Sequence, residues 1–118
     1  MPSDHTELLG RVLSFRDARD WKQFHSLKNL AAALTVETAE LLELTQWRSS
    51  EELENAIHEP GLRASLSDEV ADVLIYLLLI GEKLGIDIVQ AADAKLKKNA
   101  LRYPVEKARG SAKKYSDL

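Results

Sequence analysis

The fold is decided by one long apolar segment, residues 62–84, which read LRASLSDEVADVLIYLLLIGEKL. A helix formed here must be buried on every side along the stretch from Val73 to Ile80, because that stretch is apolar all round. The stretch is too short to cross a bilayer and is flanked by Asp72 and Glu82, which disfavours a transmembrane helix. In a chain of this size one neighbouring layer cannot cover it. The segment therefore predicts that a second subunit does.

The rest of the chain is also predicted to be helical, because no segment alternates apolar and polar residues as a strand would. Ser49 and Glu52 have the form of a capping box that starts a short helix to about Ile57, which Glu59-Pro60-Gly61 is expected to break. Gly85 is expected to end the helix of residues 62–84. The other predicted helices run from Asp4 to Asp20, from Ser26 to Trp47 and from Ile88 to Arg102. Asp87 is expected to cap the last of these, and Tyr103-Pro104 to end it. These elements predict an all-α bundle of four to five helices.

The composition is typical of a globular protein that folds as a single domain. Of 118 residues, 45% are hydrophobic and 30% are charged. Cysteine is absent, which excludes disulfides and thiolate metal sites. The first residues lack a basic start followed by an apolar run, so no signal peptide is predicted and a cytoplasmic location is expected. We expect one domain over residues 1–104.

The charge is distributed unequally along the chain. Residues 1–94 carry 8 Lys and Arg against 17 Asp and Glu, whereas residues 95–118 carry 8 against 2. The acidic body would be repelled from a polyanion, which argues against duplex nucleic acid as a partner. The basic end predicts either a solvated, loosely ordered tail over residues 105–118 or an edge that binds phosphate groups.

Two of the predicted helices carry carboxylates at positions where an apolar core residue is expected. Glu37 lies on the three-and-four spacing of the apolar residues in the helix from Ser26 to Trp47, and Glu69 does so in residues 62–84. A second acid follows each of them three residues later, Glu40 and Asp72, and therefore lies close by on the helix surface. The spacing predicts two pairs of carboxylates that point into one interior.

Carboxylates that converge in a core need compensation, because two unit charges at 4 Å repel by about 4 kcal/mol at an effective dielectric of 20. Protonation, basic partners or divalent cations can each supply it, and the acidic seams contain no Lys or Arg. A site made only of carboxylates suits Mg²⁺ or Mn²⁺, so a metal site is favoured. The motif Glu-x-x-Glu also arises by chance, as Glu40-Leu-Leu-Glu43 shows. A di-iron bundle is disfavoured, since no histidine has a glutamate three residues before it.

Four segments extend the pattern beyond the acids: RDWKQFH at 19–25, ETAELLELTQW at 37–47, DEVADVLIYL at 68–77 and KLKKNALRYP at 95–104. Across residues 19–104 the chain resembles the MazG-like, all-α nucleoside triphosphate pyrophosphohydrolases, and among them the small dCTP pyrophosphatases. The acidic pattern of that family, Glu-x-x-Glu followed by Glu-x-x-Asp, is matched at all four positions. The resemblance supports a homo-oligomer, most simply a tetramer built as a dimer of dimers.

The resemblance implies hydrolysis of a nucleoside triphosphate, dCTP or a modified dCTP, to the monophosphate and pyrophosphate. In this interpretation Mg²⁺, or Mn²⁺, is held by Glu37, Glu40, Glu69 and Asp72. The metal activates a water for attack on the α-phosphorus, and a carboxylate, for which Glu40 is our candidate, takes its proton. An all-α dUTPase, a phosphoribosyl-ATP pyrophosphatase and a helical oligomerisation or regulatory module with a structural metal remain alternatives.

Substrate contacts are also implied by the resemblance. Taken alone, Trp21 and Trp47 are more typical of core or interface anchors than of base platforms. The family assigns these tryptophans and Tyr76 to the nucleotide pocket, Lys95 to the phosphates and Asn99 to the sugar or base. His25 and Arg102 are weaker candidates. The substrate-binding set is therefore predicted to be Trp21, His25, Trp47, Tyr76, Lys95, Asn99 and Arg102.

Overall fold

The computed structural model describes residues 5–118, and over this range the chain forms helices and 3₁₀ turns with no strand. The all-α prediction is thus confirmed. The predicted start of the first helix at Asp4 lies outside the described residues. The helices are α1 (His5–Ala18), α2 (Leu27–Glu43), α3 (Ser50–Ala56), α4 (Pro60–Leu84), α5 (Ile88–Arg102) and α6 (Val105–Ala108), and the 3₁₀ turns are Lys22–Phe24 and Tyr115–Asp117.

Three helices begin at polar side chains that accept hydrogen bonds from the first turn. The hydroxyl of Ser26 accepts from the amide of Asn29 at 3.0 Å, and that of Ser49 accepts from the amide of Glu52 at 3.2 Å. One carboxylate oxygen of Asp87 accepts from two amides of α5 at 2.9 and 3.1 Å. A cap of this kind contributes about 1 kcal/mol, so it is a strong local determinant of where a helix starts. The starts of α2, α3 and α5 agree with the prediction.

Several helix boundaries differ from the prediction, and α1 ends at Ala18 and not at Asp20. α2 ends at Glu43 and not at Trp47, because the amide and the hydroxyl of Thr45 both bond to the carbonyl of Leu42, at 2.9 and 2.8 Å, and turn the chain. The short helix α3 ends before Glu59-Pro60-Gly61, as expected, but this segment also contains the start of α4. Proline is well tolerated there, since the first helical residue has no intrahelical partner for its amide.

The contacts divide the chain into two compact units, one ending at Gly85 and the other comprising Ile86–Leu118. Gly85 ends α4 in the left-handed region, with φ 69°, as glycine commonly does after a helix. This division does not coincide with the expected boundary after residue 104. The single domain over residues 1–104 followed by a tail over 105–118 stays a prediction.

In the first unit, α2 packs along α4, and α1 also packs on α4. Five apolar side chains form its buried core: Val12 of α1, Leu30 of α2, Ala56 of α3, and Leu78 and Leu79 of α4. Because this small core joins α2 to α4, it fixes the acidic positions of the two helices relative to each other.

The apolar stretch of α4 is covered only in part by its own chain. Leu78 and Leu79 are buried, whereas Val70, Leu74 and Leu77 on the same helix are exposed. The homo-oligomer predicted from this stretch stays a prediction. Among the residues described, no helix has the length and hydropathy that a bilayer span requires.

In the second unit, aromatic contacts join the last 3₁₀ turn to the end of α5. The ring of Tyr115 meets that of Tyr103 edge to face, with centroids 6.1 Å apart. The guanidinium carbon of Arg102 lies 4.8 Å from the centroid of the Tyr115 ring. The region expected to be a tail therefore carries α6 and this turn.

Candidate metal centre

Three glutamates from two helices meet at one point of the first unit. Glu37, Glu40 and Glu69 each place a carboxylate oxygen within 4.8 Å of the others. Glu37 and Glu40 lie one turn apart on α2, and Glu69 comes from α4. The packing of α2 along α4 therefore assembles this glutamate cluster from two separate parts of the sequence.

The cluster contains buried oxygens that nothing in the described part of the chain satisfies. Oε2 of Glu37 and Oε2 of Glu69 are both buried and have no hydrogen-bond partner. Within residues 5–118, no Lys or Arg forms an ion pair with a glutamate of the cluster. Burial of a carboxylate oxygen without a donor is costly, and a divalent cation with oxygen ligands would remove that cost. The residues present thus fit a hard metal ion.

Crowding in the cluster changes the ionisation of Glu37. A hydrogen bond with the Glu69 carboxyl, then burial, then the charges of Glu40 and Asp72 raise the pKa of Glu37 from 4.5 to about 7. Without a cation, therefore, Glu37 retains its proton close to neutral pH. A bound cation acts in the opposite direction, because positive charge favours the ionised carboxylate.

A cavity of about 430 Å³ lies beside the cluster and reaches Glu37 and Asp72. Asp72 does not belong to the group of three glutamates, but it faces the same cavity as Glu37. Tyr76 lies one turn after Asp72 on α4 and also lines the cavity. Burial, with the charges of Glu37 and Asp72, raises the pKa of the Tyr76 hydroxyl, which therefore stays protonated and can donate a hydrogen bond.

The segment between α1 and α2 supplies two further lining residues, Trp21 and His25. The ring of Trp21 packs edge to face on Phe15, with centroids 5.7 Å apart. Nδ1 of His25 is buried and has no hydrogen-bond partner in the described range. Burial and, to a smaller extent, the charge of Arg16 lower the pKa of His25, so this side of the cavity presents a neutral imidazole.

Sequence reasoning missed the two arginines of α1 that line the cavity, Arg11 and Arg16. Arg16 is only 5% exposed, although arginine is almost never fully buried unless paired. A signal was available, because Leu9, Val12 and Arg16 step by three and four residues. This is the same spacing that singled out Glu37 and Glu69.

Trp47 lies in a different place from Trp21. It lines an open groove of about 560 Å³ together with Glu40 and Glu69. Its side chain is 87% exposed, so it packs little against its own chain. The glutamate cluster thus borders both spaces: Glu37 faces the cavity, and Glu40 and Glu69 face the groove.

Three candidate substrate residues lie on α5 in the second unit: Lys95, Asn99 and Arg102. The backbone carbonyl of Asn99 accepts a hydrogen bond from the amide of Tyr103 at 2.8 Å, and Asn99 is half-buried. Lys95 is exposed, and Arg102 stacks on Tyr115. Their participation in the site of the first unit stays a prediction.

Comparison with known proteins gives consistent results. The sequence profile of the MazG-like family matches residues 32–118. The dCTP pyrophosphatase 1 of Mus musculus is 46% identical over 104 residues, which are 88% of this chain and 61% of that protein. The Homo sapiens protein of the same name is 41% identical over the same shares of the two chains. The chain therefore spans about three fifths of the length of these curated relatives.

A solved structure is similar over nearly its whole length. The crystal structure of a pyrophosphatase from Archaeoglobus fulgidus DSM 4304 matches with a TM-score of 0.79 and 40% sequence identity. The match covers 88% of this chain and 96% of that chain. The helical architecture described above is thus shared with a chain of similar extent.

Proposed function

Because this chain belongs to the MazG-like family, we propose that it hydrolyses a nucleoside triphosphate to the nucleoside monophosphate and pyrophosphate. The observation that carries the proposal is the glutamate cluster, which has two buried carboxylate oxygens without a hydrogen-bond partner in the described part of the chain. The adjoining cavity is of the size that small-molecule ligands occupy, roughly 300 to 1,000 Å³. The curated relatives are named dCTP pyrophosphatases, which favours dCTP or a modified dCTP as the substrate.

The proposed metal is Mg²⁺, with Mn²⁺ as a substitute, held by Glu37, Glu40, Glu69 and Asp72. When bound, Mg²⁺ neutralises phosphate charge and lowers the pKa of a coordinated water. Glu37 and Glu69 have buried oxygens that no donor among residues 5–118 reaches, which suits them to coordination. Glu40 borders the open groove and is our candidate for the general base. As the water oxygen bonds to the α-phosphorus, Glu40 accepts its proton, and the bond from that phosphorus to the pyrophosphate oxygen breaks.

The cavity and the groove supply the surfaces that would bind the rest of the nucleotide. Trp21 and Tyr76 line the cavity and provide aromatic faces for the base, and the neutral His25 beside them suits an uncharged polar edge. Trp47 offers a further aromatic face in the groove. From the second unit, we propose that Lys95 and Arg102 contact the phosphates and that Asn99 contacts the sugar or base.

The proposed assembly is a homotetramer arranged as a dimer of dimers, in the cytoplasm. The exposed apolar side chains Val70, Leu74 and Leu77 of α4 support an assembly, because a second subunit would cover them.

The function is tested by a comparison of purified protein on dCTP, dUTP, dTTP, dATP and phosphoribosyl-ATP, with Mg²⁺, with Mn²⁺ and with EDTA. We expect pyrophosphate and the monophosphate as products, the highest kcat/KM for dCTP, and loss of activity in EDTA. A preference for dUTP would indicate an all-α dUTPase, and a preference for phosphoribosyl-ATP would indicate a phosphoribosyl-ATP pyrophosphatase. Absence of pyrophosphate from every nucleotide would leave a helical module with a structural metal and refute the proposed enzyme.

A further inference from the structure

Arg16 is a buried cation that links two helices of the first unit. Its Nε donates to Oδ1 of Asp17 at 2.8 Å, and its Nη1 donates to Oε2 of Glu82 at 3.2 Å. Glu82 belongs to α4, so the second bond fastens the end of α1 to α4. The charge and hydrogen bonds of Asp17, followed by those of Glu82, raise the pKa of Arg16 despite its burial. A buried guanidinium is kept only where such partners compensate its lost hydration.

The backbone of Arg16 holds the chain reversal that leads to Trp21. Its carbonyl accepts hydrogen bonds from the amides of Arg19, at 3.2 Å, and Trp21, at 3.1 Å. Between them Asp20 adopts φ 55°, in the left-handed region that non-glycine residues rarely occupy. The side-chain amide of Gln23 donates to the carbonyl and to the carboxylate of Asp20, at 3.0 and 2.9 Å. One residue therefore holds the reversal through its main chain and anchors it to α4 through its side chain.

The anchored segment forms part of the cavity. Arg16, Trp21 and His25 line it together with the acidic residues Glu37 and Asp72. Arg16, His25 and Glu82 also line a second, much smaller cavity. Arg16 and His25 therefore border both spaces, and Glu82, the partner of Arg16 on α4, borders the smaller one.

We propose that Arg16 is a positioning residue that holds the segment Trp21–His25 as a wall of the cavity, so that nucleotide binding depends on the Arg16–Glu82 ion pair. The inference rests on the proposed function, since the ligand is the nucleotide of that site. Arg16 does not act on the reacting phosphorus. Its loss therefore weakens binding of the substrate and leaves the chemical step nearly unchanged.

Three variants and one control test the proposal. Arg16→Met removes the cation but retains an unbranched chain, Arg16→Lys retains the charge, and Glu82→Gln removes the charge of the partner on α4. Arg63→Met is the control, because Arg63 is an exposed residue of α4 away from the cavity lining. All proteins are measured well below their own melting midpoints, which separates positioning from loss of fold.

Two measurements are made on each protein. In a Trp47→Phe background, acrylamide quenching of the remaining tryptophan reports the exposure of Trp21 without any nucleotide. Steady-state kinetics with dCTP and Mg²⁺, and binding of α,β-imido-dCTP, which resists cleavage at the proposed bond, report the effect on substrate.

We expect Arg16→Met to increase quenching of Trp21, to raise KM and the Kd of the imido analogue by about 10-fold, and to change kcat by less than about twofold. Arg16→Lys should keep KM, Kd and quenching close to the wild-type values. Glu82→Gln should show smaller increases than Arg16→Met, and Arg63→Met should show none. Lower melting temperatures with unchanged KM and Kd in Arg16→Met and Glu82→Gln would overturn the proposal, and Glu82→Gln decides it alone if Arg16→Met does not fold. If the wild type is inactive on every nucleotide, the proposed function fails. The quenching data still decide whether Arg16 holds the wall.

Discussion

The carboxylates of Glu37 on α2 and Glu69 on α4 approach within 4.8 Å, and each has a buried oxygen that no donor in residues 5–118 reaches. Packing of α2 along α4 holds the two groups together, and their charges repel above the raised pKa of Glu37, about 7. At this contact the requirements of the metal-free fold and those of a metal site are opposed. Activity and metal-free stability should therefore respond in opposite directions when one charge is removed.

The first prediction concerns Glu37→Gln and Glu69→Gln, which retain the side-chain volume and remove one charge each. We expect kcat to fall by at least about 100-fold, because the metal is no longer positioned correctly. In EDTA, at a pH above the raised pKa of Glu37, about 7, the melting temperature should hold or rise by the equivalent of about 1 kcal/mol, since relief of repulsion is partly offset by the hydrogen bonds that the amide needs. Thermal melts and a pyrophosphate-release assay measure the two effects.

The control for this pair of variants is Glu54→Gln, an exposed position on α3. Glu54→Gln should change neither kcat nor the melting temperature in EDTA. Millimolar Mg²⁺ should stabilise the wild type by mass action on the folded state, and should stabilise Glu37→Gln and Glu69→Gln less. Variants that melt far lower in EDTA yet keep their turnover would show that these carboxylates are structural partners of some other cation.

The second prediction is a pH dependence of the metal-free protein. The pKa of Glu37 is raised from 4.5 to about 7 in the fold, so its stabilising contribution is complete below 4.5 and is lost as the pH rises through 7. In EDTA the free energy of unfolding should therefore fall between these two pH values. Glu37→Gln should show a shallower decline. Urea midpoints measured across this range test it, and parallel curves for the two proteins would contradict it.

The third prediction separates binding from chemistry in the nucleotide site. Trp47→Ala and Asn99→Ala should raise KM for the preferred nucleotide more than they lower kcat, because both residues are proposed to touch the base or sugar. Trp21→Ala should behave like Trp47→Ala. Trp47→Phe, which keeps an aromatic face, should raise KM less than Trp47→Ala does. A fall in kcat at unchanged KM would place these residues in the chemical step.

The fourth prediction concerns the apolar side chains of α4. Leu74 and Leu77 are 42% and 38% exposed in the single chain, so a Leu74→Glu, Leu77→Glu double variant should disrupt the assembly that covers them. Ala64→Glu, on the same helix and also exposed, is the control. Light scattering after size exclusion should give the mass of four chains for the wild type and a smaller mass for the double variant. A compact wild-type monomer at micromolar concentration would refute the assembly.

Local signals explain which parts of the fold were predictable from sequence. The bounds of α5 agree with the prediction because Asp87 caps one end and Tyr103-Pro104 stops the other. The predicted end of α2 at Trp47 was wrong, because residues 44–49 contain neither glycine nor proline to indicate an earlier end. The turn there depends on hydrogen bonds from Thr45 to the carbonyl of Leu42, a competition that helical periodicity does not reveal.

The candidate site was likewise predictable only where local spacing indicated burial. Glu37 and Glu69 stood out because helical spacing places them on the inner faces of two helices, and the structure brings them together. Arg16 occupied a comparable position on α1, but a basic residue there is ordinarily interpreted as surface. Its burial depends on Glu82, 66 residues away on α4, and a pairing at that distance leaves no mark in the local sequence.

The left-handed conformation of Asp20 also limits how this sequence can change over evolutionary time. Only glycine, asparagine and aspartate adopt a φ of 55° at little cost, so descent should leave position 20 with one of these three residues wherever the turn before Trp21 is kept. Lys22, two residues later and also exposed, carries no such backbone requirement. A lineage that acquires a β-branched residue at position 20 should thus be one in which this reversal has been rebuilt or abandoned.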